Sequence, residues 1–385
     1  MVLSTAILYA SETSNFIYID QEISGDTTDL ALNDTVPKHR NLSDKVDRIV
    51  KIFPIPYASY STETNWLFGM TKINAFRLGT KDQRDESIQP SKITALVYLT
   101  LNKQYKGILS SDLIFGENKY EIFTEIIFAD FPNYYYGVGN YTHDENQCTV
   151  DVENLSITQS FGYKFSENMY VGIKYHFDNY MNVDTIPGSA PCMTNVEDLT
   201  KNEGIQSGIG LKLSRETRDN RFNASKGSLI FIEFMNYGKW LGSKFDYNSL
   251  TIDLRKFITP LKWLTIGGQL YSEANFGNLP VQSLALMGGD DRMRGIYIGR
   301  FREKTMIEGQ IEARFPIYWL LSGVVFSGLG ESAAKYNLYS FGGLKWTYGA
   351  GLRVMINSAT KTNLRFDIGF YDHKPLYFFN ISEAF

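Results

Sequence analysis

The residues best suited to specific chemistry lie in one charged, glycine-rich stretch. Residues 288–297 are Gly-Gly-Asp-Asp-Arg-Met-Arg-Gly-Ile-Tyr, and Arg-Phe-Pro follows at 314–316. Segments that alternate apolar and polar residues flank this stretch on both sides. A guanidinium can form bidentate ion pairs with carboxylates, whereas a Gly-Gly pair that is not followed by Gly-Lys-Ser/Thr is no phosphate-binding loop. The chemistry predicted here is therefore ion pairing.

Arg294 needs a partner if the loop at 275–304 folds inward, because an unpaired buried guanidinium is costly. The segment that follows the loop places Glu308, Glu312 and Arg314 on one face. Glu312 is the natural partner by its face and by its nearness in sequence. A solvated outer loop, in which Arg294 contacts water or lipopolysaccharide, is the alternative that composition leaves open.

Hydrolytic machinery is not indicated. None of the histidines (His39, His143, His176 and His373) lies in a serine-elbow or paired-histidine motif. Glu308 and Glu312 could in principle do acid–base work, but neutralising nearby arginines is the simpler role for them. We predict that the chain is not an enzyme and that it has no cofactor or metal site.

The two cysteines, Cys148 and Cys192, lie in polar, turn-rich stretches. Two interpretations are open: free thiols, or a disulfide that joins two exported loops. Metal binding is not indicated, since no Cys-x-x-Cys or His-x-x-x-His pattern is near.

The rest of the chain indicates strands. From Phe53 onward, apolar and polar residues alternate with a period of two, and turn residues interrupt them every 10 to 15 positions. In 362–371, for example, Phe366 and Ile368 share one face while Arg365 and Asp367 share the other. Strands of about ten residues with aromatic-rich apolar faces and charged opposite faces are typical of a membrane barrel with a wet interior.

Sixteen such segments can be counted, and long and short connections roughly alternate between them. They are 53–60, 65–78, 91–102, 105–115, 119–130, 152–165, 168–178, 204–214, 228–238, 245–257, 262–274, 305–316, 321–330, 342–354, 362–371 and 376–385. An even count lets the sheet close without a free edge. The predicted fold class is all-β: a transmembrane 16-stranded antiparallel β-barrel over 53–385 with the inward-folded loop 275–304.

Residues 1–52 form a separate N-terminal part, predicted to be a tail, a signal remnant or a plug. Met1–Ala10 resembles the end of a secretory apolar region with a cleavage site near Ala10, although the basic region that normally precedes it is missing. No run of about 18 uncharged apolar residues exists, so no transmembrane helix is predicted. The net charge of −4 gives no argument for nucleic-acid binding.

Several short motifs, in this order, resemble the BamA/TamA/FhaC-type outer-membrane assembly-barrel superfamily, the bacterial surface antigen barrels. The resemblance covers roughly 53–385. The motifs are Arg218-Asp219-Asn220-Arg221-Phe222, Ser225-Lys226-Gly227, Gly288-Gly289, Met293-Arg294-Gly295, Gly299-Arg300-Phe301-Arg302-Glu303, Gln310 to Pro316, Phe326-x-Gly328-x-Gly330, Gly349 to Arg353 and the final Phe-Asn-Ile-x-x-x-Phe.

The resemblance implies that the sixth outer loop tucks into a sixteen-stranded barrel and locks onto acidic residues of the next two strands. It assigns Arg294, Gly295, Tyr297 and Glu312 to this lock. Arg314, Arg353 and Asp367 are the expected supporting residues in the lumen. The first and last strands would form a weak seam, with Phe379, Ile381 and Phe385 as its C-terminal recognition signal.

Four departures from the family pattern stand out. The aromatic of the loop tip is displaced by one position to Tyr297, and Gly328 takes the place of a lock carboxylate. Ser382 stands where BamA-like members have a kink-forming glycine, and residues 1–52 are too short for a client-capturing POTRA domain. The expected protein is thus a POTRA-less member.

The functional prediction is outer-membrane protein assembly, insertion or translocation in a bacterial outer membrane, in which the chain is either the active barrel or an accessory subunit. The expected partners are outer-membrane lipids, client outer-membrane proteins and other assembly-complex subunits. The alternative is a scaffold barrel, or a plugged channel or transporter, without insertase activity.

Overall fold

A computed structural model describes residues 54–61, 65–76, 78–79, 91–101, 103–185, 202–220, 223–357, 362–381 and 383–385. The predicted N-terminal part, 1–52, and Cys192 lie outside these residues. No helix within the described ranges has the length and hydropathy that a membrane crossing requires.

The described chain is almost entirely strand. The strands are β1 Ile55–Ser61, β2 Asn65–Phe76, β3 Ser91–Thr100, β4 Tyr105–Phe115, β5 Tyr120–Tyr135, β6 Cys148–Ser166, β7 Met169–Thr185, β8 Gly204–Glu216, β9 Gly227–Tyr237, β10 Asp246–Leu261, β11 Leu264–Asn278, β12 Ala285–Met287, β13 Phe301–Glu303, β14 Thr305–Tyr318, β15 Leu321–Ala333, β16 Lys345–Asn357, β17 Thr362–Tyr371 and β18 Lys374–Ile381. Short 3-10 helices span Asp144–Asn146, Lys239–Leu241, Val281–Ser283 and Tyr336–Leu338.

Sixteen of these strands form one antiparallel sheet in chain order, β1 to β11 and then β14 to β18, while β12 and β13 form a separate small pair. This is the predicted 16-stranded β-barrel. Among the described residues, the order starts at β1 and ends at β18, and no ladder joins these two strands. Within the described sheet, β1 and β18 are therefore the two strands with a ladder partner on one side only, and the seam between them stays a prediction.

The exposure pattern is the inverse of a soluble protein's. On β14, Ile311 is 55% exposed, whereas Glu308 and Glu312 on the opposite face are 3% and 0% exposed. On β8, Leu211 is 60% exposed and Lys212 only 7%. A sheet with its apolar face outward and its charges inward suits a lipid surround and a polar interior, which explains why the sequence alternates as it does.

All sixteen predicted segments overlap barrel strands, but several predicted boundaries are wrong. β5, β6 and β7 extend the ladder well beyond the expected ends, through residues such as Asn133 and Asp184 that suggested loops. Polar residues are tolerated there because they face the wet interior or lie beyond the bilayer. The last strand ends at Ile381 instead of continuing to residue 385, and residues 275–278 of the predicted loop belong to β11.

The two ends of the barrel differ. The loop end carries the long connections 136–147, 279–304 and 334–344, and the turn end carries the tight connections 167–168, 262–263 and 319–320. This asymmetry agrees with the alternation predicted from the sequence.

The inverted pattern predicts how the barrel wall responds to a charge on either of its faces. Leu211→Arg, on the outer face near the middle of β8, should destabilise the barrel by about 2–4 kcal/mol, because an arginine at the bilayer midplane is poorly solvated. The measurement is urea unfolding of the protein in liposomes. Thr158→Arg, whose side chain faces the interior cavity, is the control and should cost less. Equal losses for the two variants would contradict a lipid-facing outer surface.

Candidate functional site

The candidate site is the connection 279–304, which folds into the barrel interior. After β11 the chain enters β12, turns at Gly288-Gly289 and returns through β13, which pairs with β12 from Ala285↔Glu303 to Met287↔Phe301. Gly288 and Gly289 both have positive φ, of 100° and 116°, which side chains other than glycine rarely adopt. Apolar residues of this loop pack against the inner wall: Ala285, Met287, Met293, Ile296 and Phe301 contact Tyr271 of β11 and Met306 of β14.

Arg294 holds the tip of the loop to two distant strands. It is 0% exposed, donates from Nη1 to Asp367 Oδ2 at 2.8 Å, and donates from Nη2 to Glu312 Oε2. Its guanidinium also lies over the ring of Phe326, 3.6 Å from the ring centroid. One side chain thus bridges β14 and β17, with an aromatic face of β15 between them. The prediction that Arg294 binds Glu312 agrees with this geometry, and the second carboxylate comes from β17.

Glycines allow the loop to approach the wall this closely. A Cβ on Gly369 would lie 2.5 Å from the backbone of Arg294, and a Cβ on Gly295 would lie 2.7 Å from the backbone of Phe370. Gly295 also has a φ of 118°. Gly349 leaves room for the Phe326 ring, since its Cβ would lie 2.4 Å from that ring. Gly295 is thus part of the lock because its backbone packs directly on β17.

Additional arginines surround the two lock carboxylates. Arg314 Nε donates to Glu312 Oε1 at 2.7 Å, and Arg353 Nη1 donates to Asp367 Oδ1 at 2.5 Å. Arg353 Nε donates in turn to Glu383 Oε2 at 2.6 Å. Buried charges are costly unless they are paired, and this cluster pairs them by alternating guanidinium and carboxylate groups, although Nε of Arg294 has no hydrogen-bond partner among the described residues. Arg314, Arg353 and Asp367 are therefore direct members of the lock cluster.

Residues 383–385 leave the barrel wall and turn into the interior at the turn end. Phe385 is 5% exposed and packs with Phe257, Ala224 and Ala384, and Arg314 Nη2 donates to its backbone oxygen at 3.0 Å. Phe385 therefore does not belong to the last strand, which was predicted to span 376–385, and its role in the C-terminal recognition signal stays a prediction. Phe379, in contrast, lies on β18 and faces outward, and Ile381 is the last residue of that strand. Sequence reasoning did not predict this inward turn.

A second arm of the loop reaches the last two strands. Asp290, which is 5% exposed, accepts hydrogen bonds from Asn380 Nδ2 of β18 and, at 3.5 Å, from Arg365 Nη2 of β17. Asp291 accepts from the same Arg365 nitrogen at 3.1 Å. Sequence reasoning did not identify Asp290 or Asn380. The two residues meet only because the loop inserts far into the barrel, and the sequence pattern does not show how far it inserts.

On the wall opposite this second arm, Arg292 Nε donates to Glu308 Oε2 at 2.8 Å, and its guanidinium lies 3.7 Å from the centroid of the Tyr271 ring. Glu308 also accepts a hydrogen bond from the backbone of Gly288 at 3.2 Å. The loop is thus held to β14 at two depths, through Glu308 and through Glu312.

Tyr297 lies apart from the lock. Its ring packs near Tyr134 and Tyr136, at centroid distances of 5.4 and 6.4 Å, next to the connection 136–147. The aromatic contact of Arg294 comes from Phe326 instead. Tyr297, the aromatic that is displaced by one position in the sequence, therefore contacts the loop end of β5 and not Arg294.

The connection 136–147 crosses the loop end as a strap. Arg300 donates to Asp144 Oδ1 from Nε at 3.0 Å and to the backbone oxygen of Thr142 at 2.8 Å. Lys374 at the start of β18 also donates to Asp144, and this hydrogen bond and the nearby Arg300 hold the pKa of Asp144 below its usual range. Asp144 therefore stays charged at neutral pH and ties the strap to the inward loop and to the last hairpin.

Two further predictions concern Gly328 and the cysteines. Gly328 does lack a carboxylate, and a Cβ there would lie 2.9 Å from Met293 Sδ, so the position accommodates the loop instead of binding it. Cys148 is buried at the start of β6, and no cysteine among the described residues is a free thiol. Its predicted pairing with Cys192 stays a prediction. No group of metal-binding side chains occurs within the described ranges.

Comparison with known proteins places this geometry in context. The family model of the Omp85 superfamily domain matches residues 116–385 of this sequence. No curated protein matches the chain.

Among solved structures, BamA from Haemophilus ducreyi lacking POTRA domains 1–3 has a TM-score of 0.53 at 12% identity, covering 84% of this chain and 66% of that one. CdiB from Acinetobacter baumannii has a TM-score of 0.51 at 10% identity, with 83% and 55% covered. CdiB from Escherichia coli has a TM-score of 0.51 at 8% identity, with 84% and 58% covered. The chain thus spans only part of these structures, and the likeness shows a shared fold.

The lock predicts a selective effect of removing its guanidinium. Arg294→Ala should weaken loop docking by about 3 kcal/mol, at the lower end for a broken buried ion pair, because Arg314 and Arg353 still neutralise the two carboxylates. Limited proteolysis should therefore cut within 288–300 much faster, while the thermal stability of the barrel changes little. Arg294→Lys keeps the charge but cannot bridge both acids. Its rate of cleavage within 288–300 should therefore lie between the rates of the unsubstituted protein and of Arg294→Ala. Unchanged protease access would contradict the lock.

A steric prediction tests the same docking without removing a charge. Gly369→Ala should displace the Arg294–Gly295 backbone and release the loop, at a cost of about 1–3 kcal/mol. Gly309→Ala on β14 is the matched control, because its Cβ meets nothing closer than 3.9 Å. The proteolysis assay should separate the two variants, and equal cleavage in both would show that the loop does not pack on β17.

Proposed function

The chain belongs to the Omp85 superfamily, and we propose that it acts in a bacterial outer membrane on other proteins, inserting or assembling client chains at the seam between β1 and β18. Outer-membrane lipids surround the barrel, and the partners are client outer-membrane proteins or other subunits of an assembly complex. The proposed activity requires no enzymatic chemistry.

The observation that carries this proposal is the pair of sheet edges at β1 and β18. Elsewhere in the described sheet each strand is hydrogen-bonded to two neighbours, whereas the ladder order ends at these two strands. An unpaired strand edge offers a row of backbone donors and acceptors to another chain. In hydrocarbon each unsatisfied backbone group costs several kcal/mol, so an edge in the membrane favours pairing with an incoming strand.

The position of the loop favours a lateral route over a route through the lumen. The loop crosses the interior from the Tyr297 contact to the Arg294 lock, and the strap 136–147 lies over the loop end. Residues 383–385 occupy the interior at the turn end. A client that pairs at the seam would not need to displace any of these segments.

A plugged channel is the second candidate. A cavity of about 400 Å³ lies between the loop and the wall of β4 to β11. Its lining carries both signs of charge, with Lys174 and Lys212 beside Glu233. Such a lining would fill with water but favours neither cations nor anions.

The proposal predicts where a client contacts the barrel. Phe379 on β18 and Ile209 on β8 both face outward, with exposures of 44% and 41%, but only Phe379 lies at the seam. A photo-crosslinking amino acid at each position, in proteoliposomes that receive an unfolded eight-stranded outer-membrane barrel, should capture the client at Phe379 and not at Ile209.

Equal capture at the two positions, or none at either, would contradict insertion at the seam. If the Phe379 variant fails to capture the client while Gly369→Ala proteoliposomes conduct ions and unsubstituted ones do not, the plugged channel is the better description. Capture that appears only when a full assembly complex is added would assign the chain an accessory role.

A further inference from the structure

We propose that Asp290 is a positioning residue that clamps the last strand, β18, to the inward loop and so sets how readily the seam edge separates from the wall. This inference deepens the proposed function, on which its biological meaning rests, but the contact itself is independent of any client.

The clamp is a contact with two neighbouring strands at one position. Arg365 of β17 and Asn380 of β18 are directly opposite each other in the ladder. Asp290 accepts a hydrogen bond from each of them through Oδ2. A single carboxylate oxygen therefore bridges the rung that joins the last strand to the wall.

Burial makes this contact matter. Asp290, Arg365 and Asn380 are 5%, 1% and 7% exposed, so water cannot readily replace the lost partners. Removing one partner of a buried hydrogen bond is costly, because the remaining group loses that bond without gaining one to water. Loss of the carboxylate would therefore loosen β18 in particular, since β17 is also held by the Arg294–Asp367 contact.

The neighbouring acid provides a discriminating comparison. Asp291 accepts a hydrogen bond from the same arginine nitrogen, at 3.1 Å, but from no β18 residue within the described ranges, and its side chain is 27% exposed. The two adjacent aspartates thus differ in whether they reach the seam strand. If the loop acted on β18 only through its negative charge, both aspartates would contribute. If it acts through direct contact with β18, only Asp290 contributes.

Because of the clamp, the stability of β18 depends on how far the loop inserts into the barrel. β18 has β17 as its only ladder partner among the described residues. A strand with one ladder partner depends more on its contacts with the interior, which for β18 include Lys374–Asp144 as well as Asn380–Asp290. The loop could therefore transmit its docked or released state to the seam through Asp290, without any movement of the lock carboxylates.

The test is hydrogen–deuterium exchange of the backbone amides of β18 in purified, membrane-reconstituted protein. Asp290→Ala should accelerate exchange in 376–381 by about tenfold, the change expected for loss of the buried hydrogen bond that Asn380 donates to Asp290. Asp291→Ala should leave exchange in β18 within about twofold of the unsubstituted protein. Exchange in β8 should be the same in all variants, which shows that the barrel is folded.

Asn380→Ala provides a second route to the same answer. It should reproduce the acceleration, and the double variant with Asp290→Ala should show an effect smaller than the two single effects combined, because both substitutions remove the Asp290–Asn380 contact. Additive effects, or equal acceleration by Asp290→Ala and Asp291→Ala, would overturn the clamp. Acceleration specific to Asp290 together with no client capture at Phe379 would retain the clamp and reject the proposed function.

Discussion

The interior of this barrel depends on one buried guanidinium. Arg294 has no access to solvent and finds its partners, Glu312 and Asp367, on strands that are not neighbours in the sheet. A buried charge without partners is costly, so the two carboxylates stabilise the loop in its position inside the barrel. The Arg294 backbone also lies close to Gly369, and the Arg294 guanidinium lies over the Phe326 ring, so both contacts favour the same position of the loop. The other contacts of the loop further stabilise the position that the ion pairs of Arg294 favour.

The lock also accounts for the long reach of the charge cluster. Glu312 and Asp367 each receive a second arginine, from Arg314 and Arg353, and these two arginines connect to Glu383 or to the backbone of Phe385. Two separate segments, the loop from one end and residues 383–385 from the other, therefore meet the same set of charges. Because the interior is polar and enclosed, each arginine stabilises a carboxylate that would otherwise be buried alone.

The sequence allowed the fold and the central ion pair to be predicted for identifiable reasons. A period of two persists along each strand because one face meets lipid and the other the interior, so strand number and the placement of Glu312, Arg314 and Asp367 on inward faces could be inferred. The second partner of Arg294 and the Asp290–Asn380 contact could not, since they depend on how deeply the loop inserts. The inward turn of 383–385 was missed because Phe385 continues the apolar pattern of β18 whether it faces lipid or Phe257.

The central claim, that the loop tip lies inside the barrel against β15 and β17, is tested most directly by a cross-link in the membrane. Met293 lies next to Gly328 on the inner face of β15. A protein carrying Met293→Cys and Gly328→Cys should be joined by a short bifunctional thiol reagent in intact membranes. A pair with Gly323→Cys, where a side chain would meet Phe315 and Ile317 instead, should not be joined. Failure of the first pair, or equal linking of both, would contradict an inward, locked loop.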